Sequence, residues 1–354
     1  MNKTRNDMMR SLPIIASAML ACLAGTLDAA QRQPSKAPKK PPEAEPSATP
    51  VVIPANVEVF RVETRSPLNK QVPFYLRVPA HYSQTRLNRV LLLCPIYNGD
   101  GLRRVSGDGP FLRLADERGW FVVAPTFKQE GKDTHDRTKS YYYPEEFSGK
   151  AVMEALTLIA QKHPISKEGL LLQGLSGGAQ FVHRLAIWAP ERVAAVAVNS
   201  SSWFDEPNEQ SRKVAWLVTI GDSDLSYENT LKFVENLRGA GALPILRSYA
   251  GMVHEGSSKV DELDALFLKF YDEATQDKLE TRRSSSEPPI LAGQMPFVGD
   301  TQDWRCYPNK PESAQRVAEE SRVYLPSDEI AKFWSGKKAD EDVGTPTGLN
   351  GGAY

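Results

Sequence analysis

The chain has 354 residues, with 43 lysines and arginines, 44 aspartates and glutamates, and a formal net charge of −1. This balanced charge argues against a nucleic-acid partner, which would require a basic face. The hydrophobic fraction of 41% is typical of a globular core, and the 26 prolines cluster towards the two ends. We therefore expect one folded core with extended segments on either side.

The first thirty residues have the organisation of an export signal. A basic stretch with Lys3 and Arg5 precedes a short apolar run over residues 12–23, and small residues follow at positions 29–30. Residues 1–30 are therefore predicted to be a signal peptide, and the protein to be secreted or periplasmic. Cys22 follows a stretch that loosely resembles a bacterial lipobox, so a lipid anchor at this cysteine is the alternative, and it would bring the only expected contact with a membrane.

Three further segments are expected to lack a core of their own. Residues 31–52 are predicted to be a disordered proline-rich linker, residues 276–289 a polar linker, and residues 337–354 a disordered tail. Residues 290–336 contain six aromatic side chains, but so short a segment rarely forms a core alone. This C-terminal extension is expected to pack on the main body or on a partner.

Residues 53–275 are predicted to form the main domain. Two strands joined by a turn come first, and from residue 88 onward apolar strands alternate with helices. This order predicts an α/β fold with a mostly parallel central sheet and helices on both faces. The predicted strands span residues 57–63, 72–78, 90–94, 120–124, 170–173, 193–198, 214–220 and 244–249. The predicted helices span residues 111–117, 144–161, 179–189, 225–238 and 259–271.

A glycine-flanked serine lies between one of these strands and the helix that follows it. The apolar run 170–172 leads into Gly174-x-Ser176-x-Gly178, which is the sequence form of a nucleophile elbow. The serine of such a turn has strained backbone angles, and glycines on both sides allow the chain to pass close by. We therefore predict Ser176 to be the nucleophile. A glycine-rich turn before a buried helix is the structural alternative.

A nucleophilic serine requires a base and an acid that orients the base. In an open parallel sheet both come from the carboxyl ends of later strands. The strand 214–220 is followed by Asp222 and Asp224, and the strand 244–249 by His254. The order Ser176, Asp224, His254 is the one that this kind of site requires. Asp222 is the rival acid, because Asp224 is also placed to cap the helix predicted at 225–238.

The remaining cysteines indicate no cofactor chemistry. Cys94 ends an apolar strand and is expected to be a small buried residue. A bridge between Cys94 and Cys306 is the alternative in an oxidising compartment. The sequence has no metal-type spacing of cysteine and histidine, and neither a metal nor a cofactor is expected.

The stretch from Gly174 to Ser202 resembles the elbow helix and following strand of the α/β-hydrolase superfamily. It is most similar to secreted serine esterases of the polyhydroxyalkanoate-depolymerase and feruloyl-esterase type, and the resemblance covers roughly residues 56–275. It implies the α/β-hydrolase fold and an oxyanion hole. The family often has His-Gly in its oxyanion loop, and residues 95–101 here lack that pair. By position, the amides of Gly177 and Tyr97 are the expected oxyanion donors.

The resemblance implies a serine hydrolase that cleaves a carboxylic ester through an acyl-enzyme. Tyr142 and Trp203 follow strand ends and are candidates for substrate binding, with ordinary loop packing as the alternative. The expected substrate is a small-molecule or polysaccharide-linked ester. Two other functions stay open at this point. One is a serine peptidase on the same fold, and the other is a non-catalytic, surface-anchored binding protein.

Overall fold

The computed structural model describes residues 52–131, 136–254, 261–275 and 292–335. The predicted signal peptide, residues 31–51 of the predicted linker, the linker at 276–289 and the tail at 337–354 lie outside the described residues. Among the residues that are described, no helix is both long and apolar enough to span a membrane.

Eight strands form one large sheet, and its spatial order is β1-β2-β4-β3-β5-β6-β7-β8. The first pair is antiparallel, β2 runs antiparallel to β4, and all remaining neighbours are parallel. The prediction of a mostly parallel sheet is confirmed. The strands are β1 Val57–Glu63, β2 Gln71–Arg77, β3 Val90–Cys94, β4 Phe121–Pro125, β5 Leu170–Leu175, β6 Val193–Asn199, β7 Ala215–Gly221 and β8 Ile245–Tyr249.

Helices cover both faces of this sheet. The chain steps from β3 to β4 in one direction and then returns across β3 to β5, and right-handed crossovers place the two sets of helices on opposite faces. The last long helix, Asp261–Ala274, lies on the same face of the sheet as the helix Pro110–Arg118. The ring of Phe267 in the last helix is 5.9 Å from the ring of Phe111 in the earlier one. The helices are α1 Gly101–Val105, α2 Pro110–Arg118, α3 Gly149–Ala160, α4 Gly177–Trp188, α5 Tyr227–Gly239 and α6 Asp261–Ala274.

The core follows from the continuous apolar strands. Every residue of β3, β4 and β6 is buried, as expected of strands covered on both faces. The hydroxyl of Tyr271 in α6 donates to the carbonyl of Leu172 in β5 at 2.6 Å, which ties that helix to the centre of the sheet. The central strands are therefore held rigidly, and the loops at their carboxyl ends have a fixed base.

Residues 292–335 form a small sheet with two helices. Its strand order is β10-β9-β11 and all pairs are antiparallel. The indole nitrogen of Trp334 donates to the carbonyl of Leu246 in β8 at 2.6 Å, and Arg238 of α5 donates to the carbonyls of Glu320 and Arg322. The elements are β9 Phe297–Asp300, β10 Arg305–Pro308, α7 Pro311–Arg316, β11 Arg322–Leu325 and α8 Asp328–Ser335.

Two predicted helix boundaries and one alternative pairing are wrong. The helix predicted at 225–238 begins at Tyr227, because residues 221–226 are used in a turn. The helix predicted at 144–161 begins with a π-helical turn, Pro144–Ser148, before α3. The alternative bridge between Cys94 and Cys306 is also wrong, since both cysteines are free and buried.

Candidate active site

Ser176 lies in the strained turn that the sequence predicted. Its φ of 55° and ψ of −117° fall outside the ordinary regions for a side-chain-bearing residue, and such strain costs about 1–3 kcal/mol. A β-carbon at position 174 would clash with the backbone of Gly178, and one at position 178 would clash with the carbonyl of Cys94. Glycine is therefore required on both sides of the serine.

A chain of two hydrogen bonds joins the serine to an acid. The ring nitrogen Nε2 of His254 lies 2.9 Å from Oγ of Ser176, and Nδ1 lies 2.7 Å from Oδ2 of Asp224. The Asp224 side chain is 1% exposed, whereas the histidine is 43% exposed. The other carboxylate oxygen of Asp224 accepts from the Ser226 amide at 2.8 Å. The acid is thus fixed in the interior and the imidazole faces solvent beside the serine.

The serine, the acid and the histidine each follow a different strand of the large sheet, at its carboxyl end. The elbow follows β5, the acid follows β7 and the histidine follows β8, in a sheet whose strand order is 1-2-4-3-5-6-7-8. The chain has the α/β-hydrolase fold. The fold prediction from sequence is confirmed.

Comparison with known proteins gives neighbours in structure only. No family model and no curated protein sequence matches the chain. The chain is similar to an S-formylglutathione hydrolase from Agrobacterium tumefaciens, with 18% identity, a TM-score of 0.45, and coverage of 64% of this chain and 94% of the other. A ferulic acid esterase is 16% identical, with a TM-score of 0.45 and coverage of 60% of this chain and 96% of the other. A putative dipeptidyl aminopeptidase IV from Bacteroides ovatus is 14% identical, with a TM-score of 0.47 and coverage of 61% of this chain and 35% of the other.

The two rival acids have different hydrogen-bond partners in this fold. Asp224 contacts His254, whereas Oδ1 of Asp222 accepts from the Gly251 amide at 2.7 Å. Asp222 therefore stabilises the turn that carries the histidine. The expectation that Asp224 caps the following helix is wrong, because the N-cap of α5 is Ser226. The Asp224 carboxylate binds the Ser226 amide within the preceding turn instead.

The two amides expected to bind an oxyanion lie next to each other. A β-carbon at position 177 would stand 2.8 Å from the Tyr97 nitrogen. Neither the Gly177 nor the Tyr97 amide has a hydrogen-bond acceptor among the described residues. Gly177 is also the first residue of α4, where the helix dipole favours negative charge. Both N–H groups are thus available on one side of Ser176.

Sequence reasoning missed the pair that holds the Tyr97 loop. Asn98 adopts a φ of 51°, a left-handed conformation that asparagine tolerates. Its side-chain amide donates to the Gln129 carbonyl at 2.9 Å, and its side-chain oxygen accepts from the Gln129 amide at 2.7 Å. The dipeptide Asn98-Gly99 indicates a turn in the sequence. Nothing in the sequence indicates that Asn98 binds Gln129.

The two residues predicted to bind substrate differ in exposure. Trp203 is 58% exposed in the segment after β6. Tyr142 is buried, and its ring packs edge-on against Tyr141 with centroids 4.7 Å apart. Burial raises the pKa of Tyr142 to about 12. A role in substrate binding stays a prediction for both, and Tyr142 offers little surface for it.

The surroundings of His183 indicate a structural role. It is fully buried in α4, where Nδ1 donates to the Ala179 carbonyl at 2.9 Å and Nε2 accepts from the Asp205 amide at 3.1 Å. Burial lowers the pKa of His183 well below its usual value. The described residues contain no group of three or more acidic, histidine or cysteine side chains able to hold a metal ion.

Proposed function

We propose that this α/β-hydrolase is a serine hydrolase that cleaves a carboxylic ester through an acyl-enzyme intermediate. One observation carries the proposal: the hydrogen-bonded series Ser176, His254, Asp224 begins at a strained serine, beside two amides that have no acceptor among the described residues. This combination supplies a nucleophile, a base, an orienting acid and an oxyanion site. The small-molecule or polysaccharide-linked ester substrate is the finer part of the proposal and rests on the sequence resemblance.

In the proposed mechanism, Oγ of Ser176 attacks the ester carbonyl while Nε2 of His254 takes the hydroxyl proton. The buried Asp224 carboxylate keeps the proton of the resting imidazole on Nδ1 and stabilises the imidazolium. The amides of Gly177 and Tyr97 donate to the oxygen that becomes negatively charged, and one such donor contributes roughly 10²–10³ in rate. The imidazolium then protonates the leaving alcohol, and water releases the acid by the same steps.

The test is a library of soluble esters assayed with the wild type and with Ser176→Ala. We expect the substitution to reduce turnover at least about 10³-fold while circular dichroism stays unchanged. A fluorophosphonate probe should label the wild type and not the variant. Equal turnover by the two proteins would refute the role of Ser176.

The same assay separates the two other functions. Cleavage of peptide substrates in preference to esters would identify a peptidase on this fold. Failure of the probe to label the folded wild type, together with no turnover, would identify a non-catalytic binding protein.

We also propose that the chain is exported. The support is the basic stretch followed by an apolar run in residues 1–30. Mass spectrometry of protein from the native host should find a start near Gln31 or a lipid on Cys22. A cytoplasmic protein that retains Met1 would contradict this.

A further inference from the structure

The Tyr97 amide belongs to a β-turn that the backbone closes. The Gly99 amide donates to the Ile96 carbonyl at 2.8 Å, so Tyr97 and Asn98 are the two central residues of the turn. Asn98 has a φ of 51°, and a left-handed second central residue is typical of a type II turn. The closing bond does not use the N–H of Tyr97. The turn therefore leaves this donor available, but its own bond does not fix where the donor lies relative to Ser176.

The side chain of Asn98 ties this turn to the segment that follows β4. It binds the backbone of Gln129 at two points, donating to the carbonyl at 2.9 Å and accepting from the amide at 2.7 Å. Only one orientation of the carboxamide satisfies both bonds, because its oxygen accepts and its nitrogen donates. The Tyr97 hydroxyl donates to the same Gln129 carbonyl at 3.3 Å. The backbone of residue 129 is thus the anchor of the turn.

The anchor is itself held from two other directions. The Gln129 side-chain oxygen accepts from the Ser140 hydroxyl at 2.8 Å. The preceding residue, Lys128, is bound at two points by Asn69 from the turn between β1 and β2. The Asn69 side chain donates to the Lys128 carbonyl at 2.8 Å and accepts from the Lys128 amide at 2.7 Å. Two asparagines therefore bind neighbouring residues of one segment in the same way, Asn69 from the edge of the sheet and Asn98 from the loop beside the elbow.

The Tyr97 turn has little freedom to shift without consequence. A β-carbon at position 177 would stand 2.8 Å from the Tyr97 nitrogen, so the turn lies against the elbow with no side chain between them. A misplacement of about 1 Å costs roughly 10² in rate. Glycine adopts a positive φ as readily as asparagine does, so the turn conformation alone does not require Asn98. The two bonds to Gln129 are what its side chain adds.

We infer that Asn98 is a positioning residue of the oxyanion site, which holds the Tyr97 N–H, through its two bonds to Gln129, where the ester oxygen becomes negatively charged. This rests on the proposed function and names a residue on which the reaction depends although it does not touch the substrate. A donor that is aligned before the charge develops stabilises the transition state without reorganisation, and hydrogen bonds behind the donor provide that alignment.

The first experiment removes the two bonds and keeps the turn. Asn98→Gly retains a residue that adopts positive φ. We expect kcat to fall about tenfold to a hundredfold with KM nearly unchanged, because the oxyanion forms only in the transition state. Asn69→Gly is the matched control, since the same substitution removes the same pair of bonds from the neighbouring Lys128. Both variants should be less stable to urea, but Asn69→Gly should keep the wild-type kcat.

The second experiment measures the oxyanion site without turnover, with a trifluoromethyl ketone as inhibitor. The oxygen of Ser176 adds to the ketone carbon, the ketone oxygen takes the electron pair of the broken π bond, and His254 takes the serine proton. Asn98→Gly should raise the inhibition constant by the factor by which it lowers kcat/KM, as expected for an analogue of the transition state. Asn69→Gly should leave the inhibition constant unchanged.

The two experiments separate the inference from the proposed function. Wild-type kcat in Asn98→Gly, an effect on KM alone, or an equal loss of kcat in both glycine variants would overturn the inference. If Ser176→Ala is inactive in the same assay, the proposed function survives each of these results. A folded wild type that neither hydrolyses esters nor binds the ketone would refute the proposed function and the inference together.

Discussion

The carbonyl oxygen of Met252 occupies the space that a β-carbon on Gly221 would need. Gly221 ends β7 and Met252 lies two residues before His254, so the acid turn and the histidine turn meet backbone against backbone at this point. The Ser223 amide also donates to the Met252 carbonyl at 3.1 Å. The separation between Asp224 and His254 is therefore set by the absence of a side chain at position 221.

Gly221→Ala should reduce kcat/KM. The added methyl group displaces the backbone at Met252 and moves His254 away from Ser176, and a displacement near 1 Å costs about 10² in rate. Ester turnover is the measurement, with circular dichroism to show that the fold persists. Gly239→Ala is the control, since a β-carbon there meets nothing within 4 Å. Full activity of Gly221→Ala would show that the histidine turn is not fixed by this contact.

Asp224→Asn should reduce turnover by up to about 10⁴-fold, because an amide holds the imidazole in the wrong tautomer. Asp222→Asn keeps a side-chain oxygen for the Gly251 amide and should be nearly neutral. Both are measured as kcat/KM on folded protein with a soluble ester. The opposite ranking would assign the orienting role to Asp222.

His183 should make the protein less stable in acid. Because its folded-state pKa is lowered, the unfolded state binds the extra proton as pH falls below about 6.5. Stability is then lost with decreasing pH at up to about 1.4 kcal/mol per pH unit, until the folded-state pKa is reached, and nothing is lost above the unfolded-state value. Urea unfolding of wild type and His183→Gln from pH 7.5 to 5 measures this.

His183→Gln should be less stable than wild type at pH 7.5 but should lack this part of the acid dependence. The exposed His81 provides the matched control, and His81→Gln should keep the wild-type dependence. Identical slopes for wild type and His183→Gln would show that the buried imidazole does not contribute.

Trp334→Ala should release residues 292–335 from the main body. The substitution removes a fully buried indole and its hydrogen bond to Leu246, and a buried tryptophan truncated to alanine costs about 3–5 kcal/mol. Limited proteolysis should then cut within 292–335, a segment that we expect to resist cleavage in the wild type. Trp334→Phe should retain most of the protection because it keeps the apolar packing. Equal resistance of Trp334→Ala would show that other contacts suffice.

The parts predicted well from sequence have local causes. The buried strands are continuous apolar runs, and the elbow needs only two glycines around a serine after such a run. The order of strands then brings Asp224 and His254 to the same edge as Ser176. Each of these features lies within about ten consecutive residues, so a single sequence contains enough information to predict them.

The parts that were missed have distant or weak causes. The start of α5 depended on a side chain, because Asp224 binds the Ser226 amide and keeps residue 225 out of the helix. The Asn98 and Gln129 pair spans 31 positions. Strands β9 to β11 have four residues each, and one contains a glycine beside the Trp334 ring. Strands of four residues are too short to show an alternation of apolar and polar side chains that would distinguish them from loops.

The hydrogen bond from Trp334 to Leu246 has a consequence for behaviour in solution. Strand β8 is the last of the large sheet, and a bare terminal strand is a template on which another chain can add. An indole on one of its carbonyls, with the small sheet packed behind it, closes that side to intermolecular pairing. We therefore expect that losing the C-terminal segment would promote self-association and reduce solubility before it affects chemistry at Ser176.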